Sequence, residues 1–170
     1  MVAPRCIGIA EEVAYAALPA DYGQVSYGGH CGVLAVAMLA EVPFWKAWEF
    51  LEPLSPKPRG KPWQGGTRHI TRIDALEAFG VDYRERIAVP KADLEWMRRT
   101  GVEADEYLPR MQLRSFVNGY AKSGITYMVT TNRHVVTVRD GFIYDQSQVS
   151  CSWDHWAARQ MVRCVVERLP

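Results

Sequence analysis

The longest apolar stretch of the chain begins at Cys31 and continues, without a charged residue, for nine further residues, as far as Ala40. Its side chains are small or apolar around the whole circumference of a helix, and such a helix lies inside a protein. Two glycines, Gly28 and Gly29, come shortly before it and allow a flexible approach to its first turn. The pattern therefore predicts a buried helix that begins at a cysteine.

A different pattern, typical of paired strands, appears about a hundred residues later. Residues 134–139 and 142–145 are rich in β-branched and aromatic side chains. Asp140-Gly141 lies between them, and this dipeptide is a strong signal for a two-residue hairpin turn. The segment is predicted to form two antiparallel strands joined by a tight turn.

The turn also predicts which side chains share a face of the hairpin. It pairs Arg139 with Phe142, then Val138 with Ile143, and places Val136 opposite Asp145. Side chains alternate between faces along a strand, so His134 and Asp145 lie on the same face, diagonal to each other. Diagonal neighbours are about 7 Å apart or somewhat less at Cβ, which is within reach of an imidazole and a carboxylate.

The rest of the pattern places helices mainly in the N-terminal half and antiparallel strands in the C-terminal half, which indicates an α+β fold. Neither an internal repeat nor a linker interrupts the chain, so residues 1–170 are expected to form a single domain. Helices are predicted at 8–18, 31–40, 44–51, 67–79 (capped by Thr67), 93–100 and 110–123, and strands at 81–89, 125–131, 134–139, 142–145 and 161–166.

Composition narrows the classes of function. A chain of 170 residues can bury a sizeable core. The net charge of +1 and the lack of a basic run argue against a nucleic-acid partner. No stretch approaches the roughly 20 apolar residues that span a membrane. Arg5, Glu11 and Glu12 precede any apolar run, unlike a signal peptide, so a cytoplasmic protein is expected.

The cysteines and histidines show no metal-binding spacing. No C-x-x-C pair occurs, and no histidine is placed beside a cysteine at ligand spacing, except for the weak neighbouring pair at positions 30 and 31. Free thiols, no metal and no cofactor are therefore expected. The residues concerned are Cys6, Cys31, Cys151, Cys164, His30, His69, His134 and His155.

These patterns together suggest nucleophilic chemistry. The N-terminus of a buried helix carries a partial positive charge that favours the thiolate of Cys31. His134 can serve as the base, and Asp145 can orient its ring. Each residue could instead have a purely structural role. Cys31 could be a small buried hydrophobic residue. His134 could be a strand-end histidine with only local hydrogen bonds, and Asp145 could be an acidic residue that happens to lie near a turn.

The same residues resemble the papain-like cysteine peptidases, and most closely the compact bacterial and phage members related to the peptidases that remove double-glycine bacteriocin leaders. The resemblance covers the order of elements over about residues 20–147. It implies a nucleophile helix packed on a C-terminal antiparallel sheet, a Cys-His-Asp triad, a thioester acyl-enzyme, and a protein or peptide substrate. The matching motifs are Cys31-Gly32-Val33-Leu34-Ala35, His134-Val135-Val136 and Gly141-Phe142-Ile143-Tyr144-Asp145.

The sequence departs from that family in two places. Papain-like enzymes usually carry a glutamine six residues before the cysteine, where its amide helps to form the oxyanion hole. Val25 occupies that position here, and Gln24 lies one residue further back. Either the glycine-containing loop absorbs the extra residue, or Gln24 is unrelated. The interval from His134 to Asp145 is also short, so only a tight hairpin satisfies it.

Substrate contacts are expected from Gly28, Gly29, His30 and Trp63, with Trp63 predicted to be exposed. A groove without a dominant charge suits a peptide, an isopeptide or a cell-wall amide. Two other functions remain open: acyl transfer with the same triad, and a non-catalytic papain-like scaffold in a virion, effector or partner-binding protein. The last would place the protein in a virion or a host cell. The oligomeric state is left open.

Overall fold

The computed structural model describes residues 30–57, 59–60, 63, 65–132, 134–145 and 149–170. The predicted helix at 8–18 lies outside them. Helices are α1 (Cys31–Ala40), α2 (Phe44–Leu54), α3 (His69–Ala78), α4 (Lys91–Thr100), α5 (Leu113–Gly119) and a 3₁₀ helix (Trp156–Arg159). Strands are β1 (Tyr83–Val89), β2 (Tyr107–Pro109), β3 (Thr126–Thr131), β4 (Val135–Arg139), β5 (Phe142–Tyr144), β6 (Val149–Cys151) and β7 (Val162–Arg168).

The strands form one seven-stranded sheet in the order β2-β1-β7-β3-β4-β5-β6. The predicted α+β class is confirmed, but the expectation of a purely antiparallel sheet is wrong at one edge. There β2, a strand that the sequence pattern did not predict, runs parallel to β1. The reason is the connection, because α4 carries the chain back across the sheet between these two strands, as parallel pairing requires.

Helices cover both faces of the sheet and enclose two cores. The first core lies between the sheet and helices α1, α2 and α3, and includes Met128, Val135 and Val166. The second core lies on the opposite face under α5 and the 3₁₀ helix. Successive side chains of β4 point to opposite faces of the sheet, so Val135 belongs to the first core and Val136 to the second.

The predicted helix at Cys31 is confirmed as α1. Its residues from Gly32 to Leu39 are all buried, and it packs against α2, α3 and the strands β3 and β4. It ends at Ala40, and its C-cap residue Glu41 adopts the left-handed backbone conformation with φ of 53°. Pro43 then begins the next helix from its N-cap position. The apolar pattern therefore delivers Cys31 to the edge of the core, at the N-terminus of a central helix.

The hairpin also forms in the predicted register. Arg139 pairs with Phe142, and Val138 pairs with Ile143. The turn residues Asp140 and Gly141 have φ angles of 49° and 81°, and a two-residue type I′ turn requires positive φ at both positions. His134 directly precedes β4 and Asp145 directly follows β5, so the hairpin brings the two residues to the same end of the sheet.

Several predicted boundaries are wrong. Helix α3 begins at His69 with Arg68 at the N-cap, where the Arg68 N–H donates to Thr71 Oγ1, so Thr67 is not its cap. The predicted helix at 110–123 is confined to α5, because Arg110 bonds back to β1 through Val89. None of the helices in the described part of the chain is long and apolar enough to cross a membrane.

Candidate active site

Cys31 is the first residue of α1, and its thiol contacts the hairpin. It forms a hydrogen bond with the imidazole of His134 and accepts one from the N–H of Val135. Burial alone would raise the pKa of the thiol, but the hydrogen bond and charge of His134, with the Val135 N–H, outweigh burial and lower the pKa. The surroundings of Cys31 therefore favour the thiolate.

His134 lies between Cys31 and Asp145. Its Nε2 is 2.8 Å from Oδ1 of Asp145, so Nδ1 is the nitrogen left to face the thiol. Burial would lower the pKa of His134, but hydrogen bonds to Asp145 and Cys31 raise it to about 9. The carbonyl of His134 accepts hydrogen bonds from the N–H and the hydroxyl of Thr131, which hold the backbone before β4 in place. Asp145 and Cys31 thus hold the two sides of the imidazole ring, and Thr131 holds the backbone that carries it.

The Asp145 carboxylate is completely buried, and groups that can donate hydrogen bonds surround it. Besides His134 on Oδ1, the indole N–H of Trp156 donates to Oδ2 at 3.1 Å. Nε2 of His155 lies 3.7 Å from the same oxygen. A buried carboxylate stays ionised only when neighbouring groups replace the water it has lost. In Asp145, Oδ2 contacts Trp156 and His155, while Oδ1 holds the imidazole of His134.

Trp156 and His155 were not singled out by the sequence. The Trp156 ring lies 4.8 Å from the ring of His134 and packs against His155 at 5.8 Å, so it covers the His134–Asp145 contact. His155 Nδ1 accepts from the N–H of Ala157, which leaves the proton of the neutral ring on Nε2, towards Asp145. Burial lowers the pKa of His155 and keeps the ring neutral.

A buried arginine lies behind the first turn of α1. The Arg72 side chain is 4% exposed, and its guanidinium donates to the carbonyl and hydroxyl of Thr67 and to the hydroxyl of Thr130. Within the described ranges, no carboxylate lies at ion-pair distance from it. Its electrostatic neighbours are the thiols of Cys164 and Cys31. The positive charge of Arg72 therefore adds, more weakly than His134, to the preference of Cys31 for the thiolate.

The exposure predicted for Trp63 is wrong. Its side chain is 4% exposed, packs on Trp48 with ring centroids 4.5 Å apart, and donates its indole N–H to the carbonyl of Gly66. An indole with its N–H satisfied and its faces packed is stable inside a core. His30, at the N-cap of α1, packs on Trp48 and on Phe44. These residues form an aromatic cluster beside Cys31, and substrate contact by His30 stays a prediction.

The other predicted site residues, Gln24, Gly28 and Gly29, lie outside the described residues, as does Cys6. Cys164 and His69 are far apart in the sequence, but the fold brings them together, with the Cys164 sulfur 3.7 Å from Nδ1 of His69. Glu85 joins them, and these three residues are the set in the described part of the chain that could hold a metal ion.

The site built on Cys31 thus combines a thiol with a lowered pKa, an imidazole with a raised pKa and a buried carboxylate in one line. Such a pair favours the thiolate–imidazolium form, which can attack an electrophilic carbon and then protonate a leaving group. No family model matches the sequence, and no curated protein shows significant similarity to it.

Proposed function

We propose that the protein is a cysteine hydrolase of papain-like fold that cleaves a peptide or isopeptide bond through Cys31, His134 and Asp145. The observation that carries this proposal is the alignment of three groups from three separate parts of the fold. Cys31 begins α1, His134 precedes β4, and Asp145 follows β5. A binding scaffold has no need of a buried carboxylate behind an imidazole that contacts a thiol.

In the proposed reaction, His134 takes the proton of the Cys31 thiol, and the sulfur forms a bond to the acyl carbon. The carbonyl π electrons move to oxygen and return when the bond to the leaving nitrogen breaks. The imidazolium of His134 gives its proton to that nitrogen, leaving a thioester. Water then attacks the thioester with His134 as base, and the acid is released with the thiol restored. Asp145 keeps the ring in the orientation required by both steps.

The oxyanion needs donors next to the sulfur. The backbone N–H of Cys31 can serve as one, because the first N–H groups of a helix have no partner within the helix itself. Gln24 is proposed as the second. We expect Gln24→Ala to slow acylation about a hundredfold, as the loss of one oxyanion donor does in comparable sites. Alkylation of Cys31 by iodoacetamide should be unchanged, because alkylation forms no oxyanion. Equal rates of acylation in both proteins would remove Gln24 from the mechanism.

The fold supports a papain-like relationship in its arrangement, with a thiol at the start of a central helix and the other two groups at one end of an adjoining hairpin. The indole of Trp156, which packs on the ring of His134, leaves 53% of the residue exposed beside the site. Apolar surface of this kind beside a nucleophile suits the side chains of a polypeptide substrate.

The decisive experiment measures Cys31 as a nucleophile and as a catalyst. Each protein is labelled briefly with iodoacetamide at about pH 6, where an ordinary thiol is only about 0.3% ionised, and the labelled residue is located by mass spectrometry. The same proteins are assayed against fluorogenic peptides, branched isopeptides and peptidoglycan fragments. We expect fast labelling of Cys31 and cleavage of at least one polypeptide substrate, with both lost in Cys31→Ala.

Cys151→Ser is the matched control, because Cys151 is also a free, partly exposed cysteine but lies away from His134. This variant should keep wild-type labelling and activity. Fast labelling of Cys31 without turnover of any substrate would favour a non-catalytic scaffold. Cleavage of peptidoglycan fragments alone would favour a cell-wall amidase, and product formation only with an added amine would indicate acyl transfer. Labelling of Cys151 or Cys164 before Cys31 would overturn the assignment of the nucleophile.

A further inference from the structure

A second thiol, imidazole and carboxylate meet away from the site built on Cys31. Cys164 lies on β7, Glu85 lies on β1, and His69 is the first residue of α3. His69 Nδ1 is 3.7 Å from the Cys164 sulfur, and His69 Nε2 is 2.7 Å from Oε1 of Glu85. One ligand atom from each residue lies within 4.8 Å of the other two.

The sheet register accounts for this meeting. Cys164 pairs with Ile87 across the antiparallel strands β1 and β7. Glu85 lies two residues from Ile87, on the same strand, so its side chain is diagonal to that of Cys164 on one face of the sheet. The first turn of α3 then places His69 over the gap between them. The cluster therefore depends on two strands and a helix that are far apart in the sequence.

The geometry resembles that of a histidine prepared to bind a metal. Glu85 takes Nε2, which directs the lone pair of Nδ1 towards Cys164. Histidine ligands of metals are commonly held in this way, with a carboxylate on the other ring nitrogen. A tetrahedral zinc ion about 2.3 Å from sulfur and about 2.0 Å from nitrogen separates those atoms by about 3.5 Å. The Sγ–Nδ1 distance of 3.7 Å is close to that separation, so a small side-chain movement would admit the ion.

We propose that Cys164 Sγ and His69 Nδ1 bind a divalent transition-metal ion of the zinc class, with Glu85 holding the imidazole. Sulfur and imidazole ligands favour zinc and its neighbours over magnesium or calcium. Binding displaces the thiol proton to solvent and forms a sulfur–metal bond. The side chains of His69 and Glu85 are 34% and 35% exposed, so water can complete the coordination from the open side.

A second catalytic thiol is the other function that such a cluster suggests, and the surroundings of Cys164 argue against it. Cys164 lies within β7 between β1 and β3, where the backbone N–H groups are used in strand pairing, whereas Cys31 begins a helix. N–H groups used in strand pairing are not available to stabilise an oxyanion, whereas metal binding needs only the sulfur and the imidazole.

Cobalt(II) tests the proposal, because its thiolate complexes absorb strongly in the near ultraviolet and its tetrahedral complexes absorb in the visible. The titration uses a Cys31→Ala protein, since the Cys31–His134 pair is itself a thiol and an imidazole. We expect one cobalt ion per chain with a thiolate band. The double variant with Cys31→Ala and Cys164→Ser should show no thiolate band. The double variant with Cys31→Ala and Glu85→Gln should bind cobalt about 10–100-fold more weakly.

Cys31→Ala with Cys151→Ser is the matched control and should keep the full band. Circular dichroism and melting of each metal-free variant show whether it is folded, and zinc should raise the melting temperature only where Cys164 is present. A cobalt band of equal strength after Cys164→Ser, or no band in any folded variant, would overturn the proposal. So would alkylation of Cys164 in metal-free wild-type protein, at about pH 6, as fast as that of Cys31, since that outcome favours a second nucleophile.

Discussion

A Cβ atom on Gly32 would lie 1.9 Å from Oγ1 of Thr67. No heavy atoms approach so closely without a bond, so only glycine fits directly after the cysteine. The space that Gly32 leaves is filled by Thr67, whose hydroxyl accepts a hydrogen bond from Arg72. The glycine therefore allows a buried cation to pack under the first turn of α1.

Gly32→Ala should destabilise the protein and slow the reaction of Cys31. The added methyl group must move Thr67 or the start of α1, and crowding of this kind costs about 1–3 kcal/mol. The displaced helix start also shifts Cys31 relative to His134. Thermal melting and the rate of Cys31 alkylation at about pH 6 measure the two effects.

Gly119→Ala is the control for helix propensity, because Gly119 ends α5 and a Cβ there meets nothing within 4 Å. It should be neutral or stabilising by up to about 1 kcal/mol. Adding Thr67→Ala to Gly32→Ala should restore part of the lost stability, since it removes the closest contact. Equal melting temperatures for the two glycine variants would show that Gly32 is not crowded.

Asp145→Asn should leave the fold intact and lower activity by no more than about 10⁴-fold, less than Cys31→Ala or His134→Ala. The amide oxygen can still accept from His134, but the amide NH₂ then faces the N–H of Trp156, and one donor loses its acceptor. Turnover under identical conditions ranks the three variants. An equal loss in all three would mean that Asp145 does more than orient the ring.

Trp156→Phe should couple to Asp145→Asn. Phenylalanine keeps an aromatic ring over His134 but removes the N–H that donates to Asp145. In the wild-type background, Trp156→Phe should lower activity, because Oδ2 of Asp145 loses a hydrogen-bond donor. In the Asp145→Asn background, the same change removes an indole N–H that faces the amide NH₂ unfavourably. The double variant should therefore lose less than the two single losses combined, by roughly 1 kcal/mol of coupling. Simple additivity would show that the indole N–H does not matter.

The plot of kcat/KM against pH should have a broad maximum, and its basic limb should lie at a higher pH than the ordinary pKa of histidine. Acylation needs the thiolate of Cys31 and the protonated ring of His134. The pKa of Cys31 is lowered, so the acidic limb lies below the ordinary range of a thiol. The pKa of His134 is raised to about 9, so activity should fall as the pH rises through that value, when the imidazolium loses its proton.

Measurements of kcat/KM on an amide substrate between about pH 5 and about pH 10 test this profile. In Asp145→Asn the carboxylate that raises the pKa of His134 is gone, so the basic limb should move to lower pH. A wild-type basic limb near 6.5, the ordinary value for histidine, would show that the ion pair does not form.

Local patterns in the sequence were sufficient for α1 and for the hairpin. A helix that is apolar on all sides from Cys31 onwards is expected to be buried, and a turn with positive φ at Asp140 and Gly141 favours one register. These two elements predicted the contact between His134 and Asp145, because the period of a strand and the geometry of a two-residue turn act over short distances. Whether Cys31, His134 and Asp145 catalyse hydrolysis stays a prediction.

Only the tertiary structure decided the groups that surround this site. Trp156, His155 and Arg72 reach Asp145 and Cys31 from elements whose positions depend on packing over long sequence separations, and the meeting of Cys164 with His69 has the same origin. Trp63 was predicted to be exposed because its flanking residues are polar or turn-forming, yet an aromatic cluster buries it. Periodicity carries local geometry, whereas contacts between distant elements depend on how the whole core packs.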